Sequence, residues 1–219
     1  MQKIPIAELF KEEETNEDVY YLINKYIKPK DRIAIVTDTK SGYDIVMRKL
    51  KFKRHQYCVF HFKLNLNKII RSETLKIEKK IKVKLEKKYE NASNSFIKEK
   101  VKEELKPFKD ENRYALQIIY YVFKEESFKK ATTYIELIKA NMINFPPYIK
   151  EYIEKNFLPY YKSYLYFLEK PYKGKLDSTD NKTEGYFRST LLKGQKRKFR
   201  TSKGVINQVY HRGNGFIKN

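Results

Sequence analysis

Cysteine is almost absent: the 219-residue chain has one, Cys58, so no disulfide framework holds it together and a reducing interior is its natural home. Glycine and proline are scarce at seven each, which excludes collagen-like and flexible-linker compositions. No apolar run approaches the roughly 18 uninterrupted residues of a membrane span. The opening residues, Met1-Gln-Lys-Ile-Pro-Ile-Ala-Glu8, are too briefly apolar for a signal peptide, and further acids follow. Acids are outnumbered overall: 27 Asp and Glu face 48 Lys and Arg, a formal net charge of +21. Aromatic residues are plentiful, with 19 Tyr and 14 Phe, more core-forming material than a disordered polycation carries. The composition describes a basic globular protein, expected in the cytoplasm.

A positive excess of this size attracts polyanions, and nucleic acid is the usual one inside a cell. A codon bias toward Lys, Asn, Ile and Tyr also raises the lysine count, and lysines spread along the whole chain serve as solvated helix faces. One stretch differs in kind. Lys193-Gly-Gln-Lys-Arg-Lys-Phe-Arg200 holds five basic residues in eight with no acid nearby. Its Lys193, Lys196, Arg197, Lys198 and Arg200 are candidate contacts to a phosphate backbone, which would associate the protein with the nucleoid.

Three segments follow one another. Residues 1–67 alternate strands and helices. Ile4 to Ala7 is a short apolar strand end. Asn16 to Tyr26 sets Val19, Leu22, Ile23 and Tyr26 on one helical face, with Asn16 as N-cap. Arg32-Ile-Ala-Ile-Val-Thr37 is a β-branched run of the kind found in buried strands, and Asp38 stands at its end. Thr39-Lys-Ser-Gly42 turns into a helix carrying Ile45, Val46 and Leu50, and Gln56-Tyr-Cys-Val-Phe-His61 is a second strand. Strand, crossover helix and strand is the parallel α/β pattern. Residues 68–171 are expected to be all-helical: Ile77, Ile81, Leu85 and Tyr89 recur every four residues, and Ile97, Val101 and Leu105 repeat the pattern up to Pro107. Residues 172–219 begin with the helix-start cluster Asp177-Ser-Thr-Asp-Asn181, continue as a helix from about Lys182 to Leu192, and end in the basic stretch.

Two acids stand out by location. Asp38 ends an apolar strand, where α/β sheets keep their active sites. Glu184 opens the helix that leads into the basic stretch. Paired carboxylates offering oxygens to Mg²⁺ are what phosphoryl transfer on nucleic acid requires. Each acid also has a local structural reading: an Asx-type turn at Asp38, and a capping box between Asn181 and Glu184. Arg188, one turn after Glu184, is an intrahelical ion-pair partner or a phosphate contact. Cys58 and His61 supply two ligands where a structural zinc site needs four, and on a strand Cys58 would face away from His55 and His61. A packing and hydrogen-bonding role is therefore expected of them.

The series strand-Thr-Asp38, Gly42-Tyr43, Cys58-x-x-His61, a long helical stretch, then Asn181-x-x-Glu184-Gly-Tyr-Phe-Arg188 resembles the DDE transposases of insertion sequences, the type related to Mutator-like transposable elements. The resemblance runs from about Asn16 to Ser202. It implies a ribonuclease H-like α/β fold interrupted by a large helical insertion. It also implies Asp38 as the second catalytic Asp and metal ligand, Glu184 as the final catalytic Glu and metal ligand, and Cys58, His61 and Asn181 as motif residues supporting the site. The implied activity is Mg²⁺-dependent (or Mn²⁺-dependent) DNA cleavage and strand transfer at transposon ends, a recombination reaction. The family's first Asp and first strands have no counterpart before Asp38. The chain is thus expected to be an N-terminally truncated or split copy, incomplete or inactive alone, whose partners are transposon-end DNA and a missing N-terminal piece or a second copy of itself. The alternative is a non-catalytic DNA-binding remnant that regulates transposition; a further one is an RNA-binding protein.

Overall fold

A computed structural model describes residues 15–180. Asn181, Glu184, Arg188, the expected helix of residues 182–192, the basic stretch 193–200 and the strand end at 4–7 lie outside the described residues. What is described is α/β with a large helical part, in two compact units: residues 15–60 with 176–180, and residues 61–175.

The first unit opens with α1 (Asn16–Tyr26). Its N-cap is Thr15 rather than Asn16, because Asp18 stands three residues on and completes a capping box. Asp18 N–H donates to Thr15 Oγ1 at 3.2 Å, and Thr15 N–H donates to Asp18 Oδ2 at 3.2 Å. After a 3-10 turn at Pro29–Asp31 come β1 (Ala34–Thr37), α2 (Tyr43–Lys49) and β2 (Arg54–Tyr57). The strands pair in parallel from Ala34↔Arg54 to Thr37↔Tyr57, and α2 is the crossover such a pair requires.

Val46, Met47 and Leu50 form the core of this unit, covered by Val19, Tyr20, Ile23, Ile35 and Phe52. Two residues expected on buried faces are outside it. Ile45 is 64% exposed, since a helix that buries positions 46, 47 and 50 turns 45 outward, and Tyr26 is 47% exposed in the last turn of α1. β1 is half-buried along its length rather than fully buried, having one neighbouring strand among the described residues. Gly42 caps α2 with φ 91°, and a Cβ there would lie 1.9 Å from Asn16 Nδ2, so both conformation and space demand glycine.

The largest departure from expectation is at the second strand, which ends at Tyr57 instead of reaching His61. Cys58 N–H donates the last ladder bond to Thr37 O at 2.8 Å, and α3 (Val59–Lys88) begins at the next residue. Val59, Phe62 and Leu66 are all buried, and their spacing of three and four is helical. Their aromatic and β-branched neighbours disguise it as a strand pattern.

The second unit is all-helical, as the apolar spacing predicts. The long α3 is followed by α4 (Asn94–Tyr121), α5 (Phe128–Asn141), α6 (Pro147–Asn156) and α7 (Tyr161–Leu165). Leu85, Ile97 and Val101 close the α3–α4 turn with Ile81, Tyr89 and Ala92 packed against them. An aromatic cluster forms the other core: the Phe62 ring lies 5.1 Å from Phe157, 5.2 Å from Tyr164 and 5.6 Å from Phe123. The apolar pattern does not stop at Pro107, because α4 runs through it. Pro107 is exposed, so the carbonyl deprived of its N–H partner one turn earlier has water within reach. No described helix is long and apolar enough to cross a membrane.

Two substitutions test this account in opposite directions. Phe157→Ala empties the centre of the aromatic cluster and is expected to lower the unfolding free energy by about 3–5 kcal/mol in urea denaturation. Pro107→Ala restores a helical hydrogen bond on an exposed face and is expected to raise it, by at most about 3 kcal/mol.

Candidate functional site

The parallel register brings two strand ends side by side. Asp38 follows β1, Cys58 follows β2, and both leave the C-terminal edge of the pair, where open α/β sheets present their chemistry. Asp38 adopts the Asx turn that local sequence allows, with Lys40 N–H donating to its Oδ1 at 3.1 Å. This bond occupies one of the roughly four acceptor sites of a carboxylate, so capping and metal ligation are compatible at this residue.

Beneath Asp38 lies a polar network that pattern reading did not find. His55 Nδ1 is 3.1 Å from Asp44 Oδ1, and His55 Nε2 is 2.7 Å from Thr37 Oγ1. Tyr57 O–H donates to Asp44 Oδ2, and Thr37 Oγ1 is also 2.7 Å from the Asp38 carbonyl oxygen. Thr37 has one proton for two acceptors. With His55 neutral, Nδ1–H donates to Asp44 and Thr37 donates to Nε2. With His55 protonated, both ring nitrogens donate and the Thr37 hydroxyl turns to the Asp38 carbonyl. Burial of the ring lowers the His55 pKa below its ordinary 6.5, against the opposing pull of the Asp44 carboxylate. The neutral arrangement is therefore the one that folding favours.

At the other strand end, the segment that follows the helical unit is held against the start of α3. Val59 N–H donates to Ser178 O at 2.9 Å, and the Cys58 thiol donates to Asp180 Oδ1 at 2.9 Å. His61, in the first turn of α3, stands three residues after Cys58. The ligand atoms of Cys58, His61 and Asp180 all lie within 4.8 Å of one another. Cys58 is buried, and His61 and Asp180 are half-buried. The helix changes the expected geometry: with His61 one turn along rather than on a strand, its ring comes to the side of Cys58 instead of facing away from it. Asp180 carries a helix-start signal as a member of the Asp177–Asn181 cluster, but nothing in the sequence pairs it with Cys58.

The donors differ between the two strand ends. Around Asp38 the described residues do not build a complete oxygen cage for Mg²⁺; Glu184, the other expected ligand, lies outside them. Among the described residues, Cys58, His61 and Asp180 are the group of three with metal-ligating atoms together, and sulfur and nitrogen are poor donors for Mg²⁺. The basic contacts expected at Arg188, Lys193, Lys196, Arg197, Lys198 and Arg200 also lie outside the described residues. No family model, curated protein or solved structure matches the chain.

The His55 network has a pH signature. An unfolded histidine titrates near 6.5 and the folded one lower, so between these values the unfolded chain binds more protons. The stability this adds is complete above about pH 6.5 and is lost as pH falls through the folded value. Urea denaturation across this window is expected to show a steeper loss on acidification for the native chain than for His55→Gln; superimposable pH profiles would contradict it.

Proposed function

We propose that the chain carries the second catalytic Asp and the final Glu of a DDE-type transposase, on a ribonuclease H-like α/β core with a large helical insertion, acting on DNA at transposon ends. The observation that carries the reading is the return of the chain. After the helical residues, Ser178 and Asp180 are bonded to Val59 and Cys58, at the strand end neighbouring Asp38. Asn181 and Glu184 follow Asp180 by one and four residues. In this reading Asp38 and Glu184 are the carboxylates that hold the divalent cation of the intact enzyme, Arg188 contacts a phosphate beside them, and residues 193–200 grip the DNA backbone. The Asx turn at Asp38 fixes its carboxylate at the strand end, as a ligand role requires.

A second reading has its own support: among the described residues Asp38 is the one carboxylate of the expected ligand set, and each strand has one open edge. Such a chain would bind DNA without cutting it and regulate an intact relative.

Two experiments separate these. Plasmid nicking in Mg²⁺ or Mn²⁺ is expected to be abolished by Asp38→Ala or Glu184→Ala, with DNA affinity unchanged within about twofold. Binding without nicking, alone or with an upstream piece, selects the regulator, and no binding to DNA sinks both readings. In a salt titration, replacing Lys196, Arg197 and Lys198 with Ala is expected to flatten the slope of log K against log salt by up to about 2.7, near 0.9 per lost phosphate contact.

A further inference from the structure

We propose that Cys58, His61 and Asp180 form a binding site for a borderline-soft divalent cation, Zn²⁺ being the natural occupant, distinct from the Mg²⁺ expected at Asp38. Thiolate, imidazole and carboxylate are the three ligand types that zinc takes from proteins, at bond lengths of about 2.3, 2.0–2.1 and 2.0–2.2 Å. Tetrahedral geometry with those bonds separates the ligand atoms by roughly 3.4–3.6 Å. The three atoms here already lie within 4.8 Å of one another, and the Cys58 Sγ and Asp180 Oδ1 at 2.9 Å need only spread slightly. Local backbone holds them there: the ladder bond from Cys58 N–H to Thr37 O, the helix that starts at Val59, and the Val59–Ser178 bond that pins the returning segment.

Binding follows a balanced exchange. The cation takes the Cys58 sulfur lone pair, the thiol proton now shared with Asp180 leaves to the solvent, and a metal–sulfur bond replaces the S–H bond. Three protein ligands leave the fourth tetrahedral position to water or to a substrate oxygen. Sulfur and nitrogen discriminate against Mg²⁺ and Ca²⁺ and favour Zn²⁺ and Co²⁺. Asp180 joins the strand end only after the whole helical unit has intervened, so a metal here ties two distant parts of the chain together. Zn²⁺ is accordingly expected to raise the melting temperature.

Co²⁺ titration of the full chain tests the proposal without reference to DNA cleavage, so its outcome is separate from that of the transposase reading. The chain contains a single cysteine, hence a thiolate-to-cobalt charge-transfer band has one possible source. The expected result is a band that saturates at one Co²⁺ per chain with release of about one proton, is displaced by Zn²⁺ but not by Mg²⁺, and persists in Asp38→Asn. Asp180→Asn and His61→Gln are each expected to weaken Co²⁺ binding at least tenfold, with circular dichroism confirming that the variants fold. Absence of the band in the native chain at millimolar Co²⁺ overturns the proposal. So does a band whose affinity is unchanged in both folded variants, since the cysteine would then be binding alone. Should either variant fail to fold, stoichiometry and proton release in the native chain still decide.

Discussion

A parallel pair of four-residue strands constrains the first unit more than any other feature. Antiparallel strands could have been joined by a turn; parallel ones force the chain to cross back, and α2 is that crossing. Its Val46, Met47 and Leu50 then become the surface on which α1 packs. Arg32 secures the arrangement from below. Its guanidinium donates to the Ile27 carbonyl at the end of α1, to the Leu50 carbonyl at the end of α2 at 3.1 Å, and to Asn24 Oδ1 at 2.8 Å. A buried cation facing two helix C-termini meets the negative ends of both dipoles, and removing its partners would strand the charge.

From the same pairing comes the proximity of chemically different groups. The ladder closes with Cys58 N–H on Thr37 O, so Asp38 and Cys58 emerge as neighbours. On the Asp38 side the groups are hard oxygens supported by the Thr37–His55–Asp44 chain. On the Cys58 side they are sulfur, nitrogen and one carboxylate. The two sets differ in softness: oxygen donors suit hard cations, and sulfur and nitrogen suit borderline ones.

The helical unit has its own sources of stability. Phe62, Phe123, Phe157 and Tyr164 supply a dense aromatic core, while the α3–α4 turn has a separate apolar seal around Leu85. Exposed faces are laced with short-range pairs such as Lys130–Glu126 and Lys155–Glu151, which solvent screens and which add little to stability. Much of the lysine content therefore solvates helices, and the total charge says less about nucleic acid than the local run at 193–200 does.

Local sequence by itself determined the helices, because a period of 3.6 is a property of neighbouring residues: Ile97, Val101 and Leu105 are buried where the spacing puts them. It also determined the parallel strand-helix-strand order and the Asx turn at Asp38. It misjudged Cys58 to His61, where apolar and aromatic residues satisfy strand and helix patterns alike over so short a run, and tertiary burial of Val59, Phe62 and Leu66 decided for helix. It was silent on the His55–Asp44–Thr37 chain and on Asp180 as a partner of Cys58. Those contacts join residues 11, 18 and 122 positions apart, and no local periodicity encodes a pairing that exists only once the strands register and the chain returns.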